Sequence, residues 1–499
     1  MSNYIYAFAL LITLINTTIA FTLLSSSVHK NIIKRSLIST SNSLRYNHFL
    51  PLSMMTSSTT TSSSTVKAHD IEVSKFITQE NSQYIKSKYG TPTYVYDKKT
   101  LITQAKLALD FPNMYGLRVR FAMKACPNAA ILQLFNELGL YFDASSGYEV
   151  LRLIKAGILP QSISLSSQEL PSNFKELIDL GIDFNACSLH QLQTFGQLFP
   201  SGKCGIRFNP GKGSGGTGKT NVGGPEASFG IWFELLPQVK EIVTKYNLNI
   251  ERIHTHIGSG SDPDVWQNVS LLSLNLVKEF PTVITLNLGG GYKVGRMNYE
   301  KSTDLKVVGQ PVCKNFENFA KETGREIKLE IEPGTFLVAN AGALLTTIQD
   351  MTTTIASTSS SSGGGHVFLK LDSGMTEVLR PSLYGAQHPI VVHSSSSGTS
   401  NDNDNDVDGG ISSYVVVGHC CESGDLFTCV PGEPEAIKER SMKTARIGDL
   451  ISIEGAGAYC SGMSTKNYNS FPEAPEVLID TDGEIHLIRR YGWMDGWID

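Results

Sequence analysis

Residues 119–146, VRFAMKACPNAAILQLFNELGLYFDASS, read as a strand, a helix and a second strand. The first seven (VRFAMKA) and the last six (YFDASS) are β-rich. Between them Ile131, Leu134, Phe135 and Leu138 keep the spacing of an amphipathic helix over Ala129–Leu138. The same alternation continues outward. Further β-rich runs stand at 163–167 (ISLSS), 183–188 (DFNACS), 205–210 (GIRFNP), 250–258, 283–290 (VITLNLGG) and 328–334 (KLEIEPG), with helices expected at Tyr148–Lys155, Leu189–Leu198 and Val265–Phe280. Eight strands in eight such units predict an α/β fold, a (β/α)8 barrel. An open doubly wound sheet would need a phosphate fingerprint after its first strand, and Lys124-Ala125-Cys126-Pro127 is not one.

After about residue 346 the pattern changes to short strands with turns, at 366–372, 388–393, 413–417, 449–453, 475–480 and 484–489. These predict a C-terminal all-β domain, which the strand Thr93–Tyr96 is expected to join. The expected order is a presequence at 1–69, a joining segment at 70–103, the barrel at 104–345 and the β domain at 346–499. Two low-complexity segments, 356–365 and 394–410, read as surface insertions.

The 499 residues carry a net charge of −5, unevenly spread. Residues 1–69 hold five basic side chains and no acid, which leaves 37 basic against 47 acidic residues in the remainder. So acidic a body argues against a nucleic-acid partner. The apolar run 5–15 leading to Thr18-Ile19-Ala20 has the form of a signal-peptide core. The Ser/Thr-rich, acid-free stretch from Phe21 has transit-peptide composition, and together they predict a bipartite plastid address. The alternative is the secretory pathway. Eight cysteines without a C-x-x-C pair read as reduced thiols, which sits poorly with secretion. No membrane span is expected in the mature protein.

In a barrel the chemistry gathers where strands end. Those ends hold Lys124, Asp143, Cys187, Asn209, His256–Ser259, Gly289–Gly291 and Glu332. Three glycines after a strand let backbone N–H groups close on an anion. A lysine ending an apolar strand is expected to have a lowered pKa and to suit covalent chemistry with a carbonyl. Lysine, anion cradle and a carboxylate for a ring nitrogen together specify pyridoxal 5'-phosphate. His254 and His256 share a strand face, but no third ligand is obvious, so no metal is expected. Residues 213–220 (GSGGTGKT) fit the P-loop pattern, yet the following Thr220-Asn221-Val222-Gly223-Gly224-Pro225 cannot start the helix that mechanism needs.

These residues resemble the fold-type III pyridoxal-phosphate-dependent decarboxylases, most closely the diaminopimelate decarboxylases. The resemblance runs from Gly90 to about Arg490. Its motifs include FAMKACPN (121–128), FDASSGYEV (142–150), HIGSG (256–260), LGGGY (288–292), EPGTFLVANAG (332–342), RPSLYGA (380–386), CESGD (421–425) and AGAYCSGMSTKNYN (456–469). It implies a cofactor-binding barrel with a β domain, a head-to-tail homodimer with shared active sites, and a small amino-acid substrate. The implied reaction converts meso-2,6-diaminopimelate to L-lysine and CO2, the last step of lysine synthesis.

By the same resemblance Lys124 would carry the cofactor, with Asp143 orienting it. Glu332 would pair with the pyridine nitrogen and His256 would stack on the ring. Ser259, Gly289, Gly290, Gly291 and Tyr459 would hold the phosphate, Tyr459 arriving from the partner. Cys421, also from the partner, would protonate the carbanion. Cys420 would face away on the same strand, an inert core thiol. Thr335, Arg380, Tyr384, Glu422, Ser423 and Tyr459 would contact the substrate.

The match departs from the family at one important place. Where diaminopimelate decarboxylases read EPGR, this chain has Thr335, which removes a charge-assisted pair worth roughly 1.5–3 kcal/mol. Lys466 is inserted and Phe471 replaces an arginine. Arg380 or Tyr384, with Lys466 or His388, would then hold the distal carboxylate. The alternative substrate is a diamino acid without that carboxylate, such as D-lysine or D-ornithine, which Thr335 favours.

Overall fold

The computed structural model describes residues 71–212, 223–256, 260, 262–355, 365–394 and 410–492. The presequence, the P-loop-like stretch, Ser259 and nearly all of both low-complexity segments lie outside the described residues. Strand β1 (Thr93–Asp97) precedes the barrel. The barrel strands are β2 (Leu117–Ala122), β3 (Tyr141–Ala144), β4 (Ile163–Leu165), β5 (Asp183–Ala186) and β6 (Lys203–Asn209). A two-residue strand, β7 (Ile231–Trp232), hangs on β6. Then follow β8 (Asn249–Thr255), β9 (Thr285–Asn287) and β10 (Lys328–Ile331). All neighbours pair in parallel and β10 returns to β2, so eight strands close the barrel.

The unit at 119–146 shows how local signals build it. Asn128 caps the helix Ala129–Glu137 by accepting from the Ala130 N–H at 3.0 Å, a contact worth about 1 kcal/mol. The helix buries Ile131, Leu132, Leu134 and Phe135, and Phe135 meets Phe121 of β2 edge to face at 4.8 Å.

The barrel interior is polar and layered. Its floor joins Arg118, Arg120 and Arg252 to Asp183 and Glu330, with ion-pair distances of 2.5–3.2 Å around the fully buried Arg120. Above it Asn185 donates to Ser164 and Ser166. Side chains two residues further along each strand reach the mouth.

The β domain is a second nine-stranded sheet. Its axis is β11 (Gly342–Thr353), which pairs with β1 on one edge. It also contacts β12 (Val367–Leu371) and β18 (Leu450–Ile453). The sheet includes β13 (Ile390–His393), β14 (Ile411–Val417), β17 (Arg440–Lys443), β19 (Glu476–Ile479) and β20 (Ile485–Arg489). A small hairpin, β15 (Cys429–Val430) with β16 (Glu433–Ile437), lies apart from it. β1 joins this sheet through β11 and β19. The expected boundary at 345/346 falls inside β11. Its first seven residues are buried on both faces, so no period-two alternation marks it. No helix among the described residues is long and apolar enough to cross a membrane.

Candidate active site

At the C-terminal mouth of the barrel, Lys124 sits in a short turn (Met123–Ala125) directly after β2. Its side chain keeps accessible surface although protein atoms crowd around it. Asp143 of β3 is buried, and its Oδ1 has no hydrogen-bond partner. Glu332, one residue past β10, is buried, accepts from Asn287 Nδ2 at 2.6 Å and lies 3.3 Å from His254 Nε2. The His256 ring stands 6.5 Å from that of His254.

The triple glycine is built for close approach. A Cβ on Gly289 would fall 2.7 Å from the His256 ring, and one on Gly290 would meet the Glu332 carbonyl oxygen at 2.1 Å. Gly289 and Gly291 also have positive φ, +72° and +100°. Asn287 Oδ1 accepts from the Gly289 N–H at 2.7 Å, and the Gly291 carbonyl accepts from the Gly260 N–H at 2.9 Å. The cradle is thereby fixed from its own strand, β9, and from the segment after β8.

Electrostatics divide these groups. Burial raises the Glu332 pKa, but His254, His256 and Arg207 outweigh it and hold the carboxyl well below the usual range. Burial and the facing Glu332 push Asp143 far up. Burial, with Arg207 and Lys124, keeps His256 neutral at physiological pH. The expected lowering of Lys124 is overturned. Burial does act in that direction, but Tyr459, Asp143 and Glu332 outweigh it, and the pKa is raised.

Two further expectations are corrected here. Tyr459 does not need a second subunit to reach this site. Its N–H donates to the Ala125 carbonyl at 2.9 Å and its side chain acts on Lys124 within the same chain. Glu332 also supplies in space the third potential metal ligand that the sequence had not offered. It joins His254 and His256 with ligand atoms within 4.8 Å of one another.

Cys421, Glu422 and Ser423 stand apart, exposed on a loop after β14. Cys420 and Cys421 lie in a turn, so strand alternation does not separate them; Cys420 is buried and Cys421 exposed for a different reason. Asp425 ties the loop inward by accepting from the Cys420 and Met375 N–H groups at 2.9 and 2.6 Å. Asn469 accepts from the Cys421 N–H at 2.9 Å, and the Tyr468 hydroxyl donates to Glu422 at 3.2 Å. The Phe471 ring stacks on His419 at 3.5 Å, packing the base of the loop. A cavity of about 1170 Å³ opens beside this loop, lined by Cys420, Glu422, Asp372 and Lys370 among others. None of Lys124, His256 or Glu332 lines it.

Of the proposed carboxylate-binding residues, Thr335 begins the short helix Thr335–Val338, half-buried. Arg380 and Tyr384 lie on the helix Arg380–Tyr384, the guanidinium 5.8 Å from the phenol ring. Lys466 is engaged elsewhere, paired with Glu473 at 2.6 Å. The sequence reading missed Arg207, Asn287 and Arg296. Arg207 and Asn287 lie in register with His254, Arg207 two residues before the end of β6 and Asn287 at the end of β9. Arg296 is buried on the loop after the triple glycine.

Residues 100–339 match the family model for the pyridoxal-binding domain of pyridoxal-dependent decarboxylases. The diaminopimelate decarboxylase of Escherichia coli K12 is 34% identical over 420 residues, 83% of this chain and 94% of that protein. The chain belongs to the diaminopimelate decarboxylase family. A solved diaminopimelate decarboxylase structure superposes with a TM-score of 0.76 at 32% identity, covering 84% of this chain and 96% of the other. The Helicobacter pylori diaminopimelate decarboxylase in complex with L-lysine gives 0.68 at 27% identity, over 83% and 98%. Membership of this family makes the chain a pyridoxal-dependent amino-acid carboxy-lyase with a barrel and a β domain.

Proposed function

We propose that this chain decarboxylates meso-2,6-diaminopimelate to L-lysine and CO2, with pyridoxal 5'-phosphate carried on Lys124. The observation that carries the reading is the meeting of Lys124, Asp143, His256, Glu332 and the triple-glycine turn at one rim. These residues fit the cofactor. The turn leaves backbone N–H groups free of any Cβ, Lys124 keeps accessible surface, and Glu332 is an anion held ready for a cationic N–H.

When bound, the cofactor supplies an electron sink for the bond that breaks at the substrate Cα. The protein's part is positioning and proton handling. Asn287 and His254 fix the Glu332 carboxylate so that it keeps a ring nitrogen protonated. His256 is neutral and adds no competing charge against the ring. Gly289–Gly291 hold the phosphate, with Ser259 and Tyr459 assigned to the same task. Asp143 sets the position of Lys124 and shares its proton.

The proton that replaces CO2 is assigned to Cys421 of a second copy, in a homodimer whose sites are shared. The exposure of Cys421 on a loop fixed by Asp425 and Asn469 supports this. Glu422 and Ser423 of that loop would bind the distal amino group. Residues 1–69 would direct the chain to a plastid, and fusing them to a fluorescent protein tests that address.

Thr335 favours one second reading, a decarboxylase of D-lysine or D-ornithine. CO2 release measured on the cofactor-loaded protein with meso-diaminopimelate, D-lysine and D-ornithine separates the two. Turnover of diaminopimelate, lost without the cofactor, is expected; turnover of the other two alone would overturn it.

A further inference from the structure

Arg296 is buried beside the half-buried Arg380. Arg296 is 8% exposed, and its Nη2 has no partner, as is true of Arg380 Nε. His388, buried beside both, leaves Nε2 without a partner while its Nδ1 contacts the Glu454 carbonyl at 2.9 Å. Three nitrogen-bearing side chains thus converge, and among the described residues neither guanidinium forms an ion pair with a carboxylate. Glu300 acts on Arg296 from a distance, but its carboxylate is taken by the N–H groups of Arg296 and Met297, at 2.8 and 3.2 Å.

The buried Arg296 guanidinium is repelled by the half-buried Arg380 beside it, and such an arrangement persists where an anion joins the two. Burial and the adjacent Arg380 bring the Arg296 pKa down to about 9, which still leaves it charged at neutral pH. The loop that carries Arg296 is deliberately fixed. Its Nε donates to the Gly455 carbonyl at 2.9 Å, and a Cβ on Gly455 would strike the Arg296 side chain at 2.9 Å. Asn340, five residues beyond Thr335, donates to the Gly295 carbonyl at 3.0 Å and ties the loop to the segment after the missing arginine. Tyr459 bears on the charge of both Lys124 and Arg296, which links the cofactor lysine to the arginine pair.

We infer that Arg296, together with Arg380, binds the substrate's non-reacting carboxylate and replaces in space the arginine that Thr335 displaces in sequence. The inference rests on the proposed substrate, and it removes the main argument for a substrate without a second carboxylate. Arg296 is a specificity-determining residue.

The test uses the cofactor-loaded protein and Arg296→Gln. The KM for meso-diaminopimelate should rise about 10- to 100-fold, with kcat, cofactor affinity and melting temperature nearly unchanged. Binding of pimelate, a seven-carbon dicarboxylate without amines, should weaken by a similar factor in calorimetry. Adding Thr335→Arg to R296Q should restore at least tenfold of the loss. If R296Q does not fold, Arg296→Lys, which keeps the charge but loses the fork, should show a smaller rise in KM. An unchanged KM in a folded variant overturns the inference. So does a loss of cofactor affinity with KM and pimelate binding intact, because the pair would then serve the phosphate. If the wild-type protein released no CO2 from diaminopimelate, the functional reading alone would fall, and pimelate binding to wild type and R296Q would still decide the role of Arg296.

Discussion

The floor and the mouth of the barrel hold similar side chains and treat them in opposite ways. At the floor three arginines and two acids pair at salt-bridge distance, and Glu330 is held down to about 2 because Arg120, Arg252 and Arg118 outweigh its burial. At the mouth Asp143 Oδ1, Arg296 Nη2, Arg380 Nε and His388 Nε2 are buried with no partner. The same strands supply both layers, two residues apart: Glu330 and Glu332 on β10 and beyond, Arg252, His254 and His256 on β8 and beyond. A layer whose opposite charges pair within the protein makes a scaffold, even with Arg120 Nη1 unpartnered, and a layer whose charges lack counterparts is a site awaiting ligands.

That contrast breaks most visibly at Lys124. Lys124→Ala should lower turnover by on the order of 10⁴-fold or more and abolish the protein's cofactor-dependent visible absorbance, while its melting temperature stays level or rises. A fall in stability comparable to that of a floor variant would erase the distinction.

Glu330→Gln tests the other end. Leaving Arg120 and Arg252 with only the partly exposed Asp183 to pair with should cost about 3–5 kcal/mol at pH 7 in urea unfolding. The pH dependence has a definite sign. An unfolded glutamate titrates near 4.3 and folded Glu330 near 2, so the stabilisation is complete above about pH 4.5 and is lost as pH falls through about 2. The gap between wild type and E330Q should therefore narrow from about pH 4 downward. A constant gap would mean that packing, not charge, sets the floor.

How much of this is legible in the sequence follows from the same geometry. Lys124, His256, Gly289–Gly291 and Glu332 end strands, and a strand end can be placed from hydrophobic runs and turn residues. Arg120, Arg207, Asn287 and Glu330 lie inside runs that read as apolar, and only the closed barrel shows that their face is a polar interior. Tyr459 could be assigned to a partner because 333 residues of chain intervene between it and Ala125; the contact of its N–H with the Ala125 carbonyl needs the fold. The turn at Cys420–Cys421 was hidden because a preceding strand, β14, made continuation look natural.

Smaller effects sharpen the picture outside the barrel. Cys421→Ala should lower kcat on the order of 10²-fold with KM nearly constant, as expected for loss of a proton donor, and mixing it with a Lys124→Ala chain should restore part of the activity if sites are shared between copies. Lys466→Ala should change KM by less than about twofold and stability by less than about 0.5 kcal/mol, because an exposed pair with Glu473 is all it loses. A large rise in KM there would return Lys466 to the carboxylate.

Reductive trapping of the pyridoxal-phosphate-loaded protein, followed by peptide mapping, addresses the division between floor and mouth most directly. The account predicts a pyridoxyl group on Lys124, in the peptide that contains FAMKACPN. A label on any other lysine, or none, would contradict it.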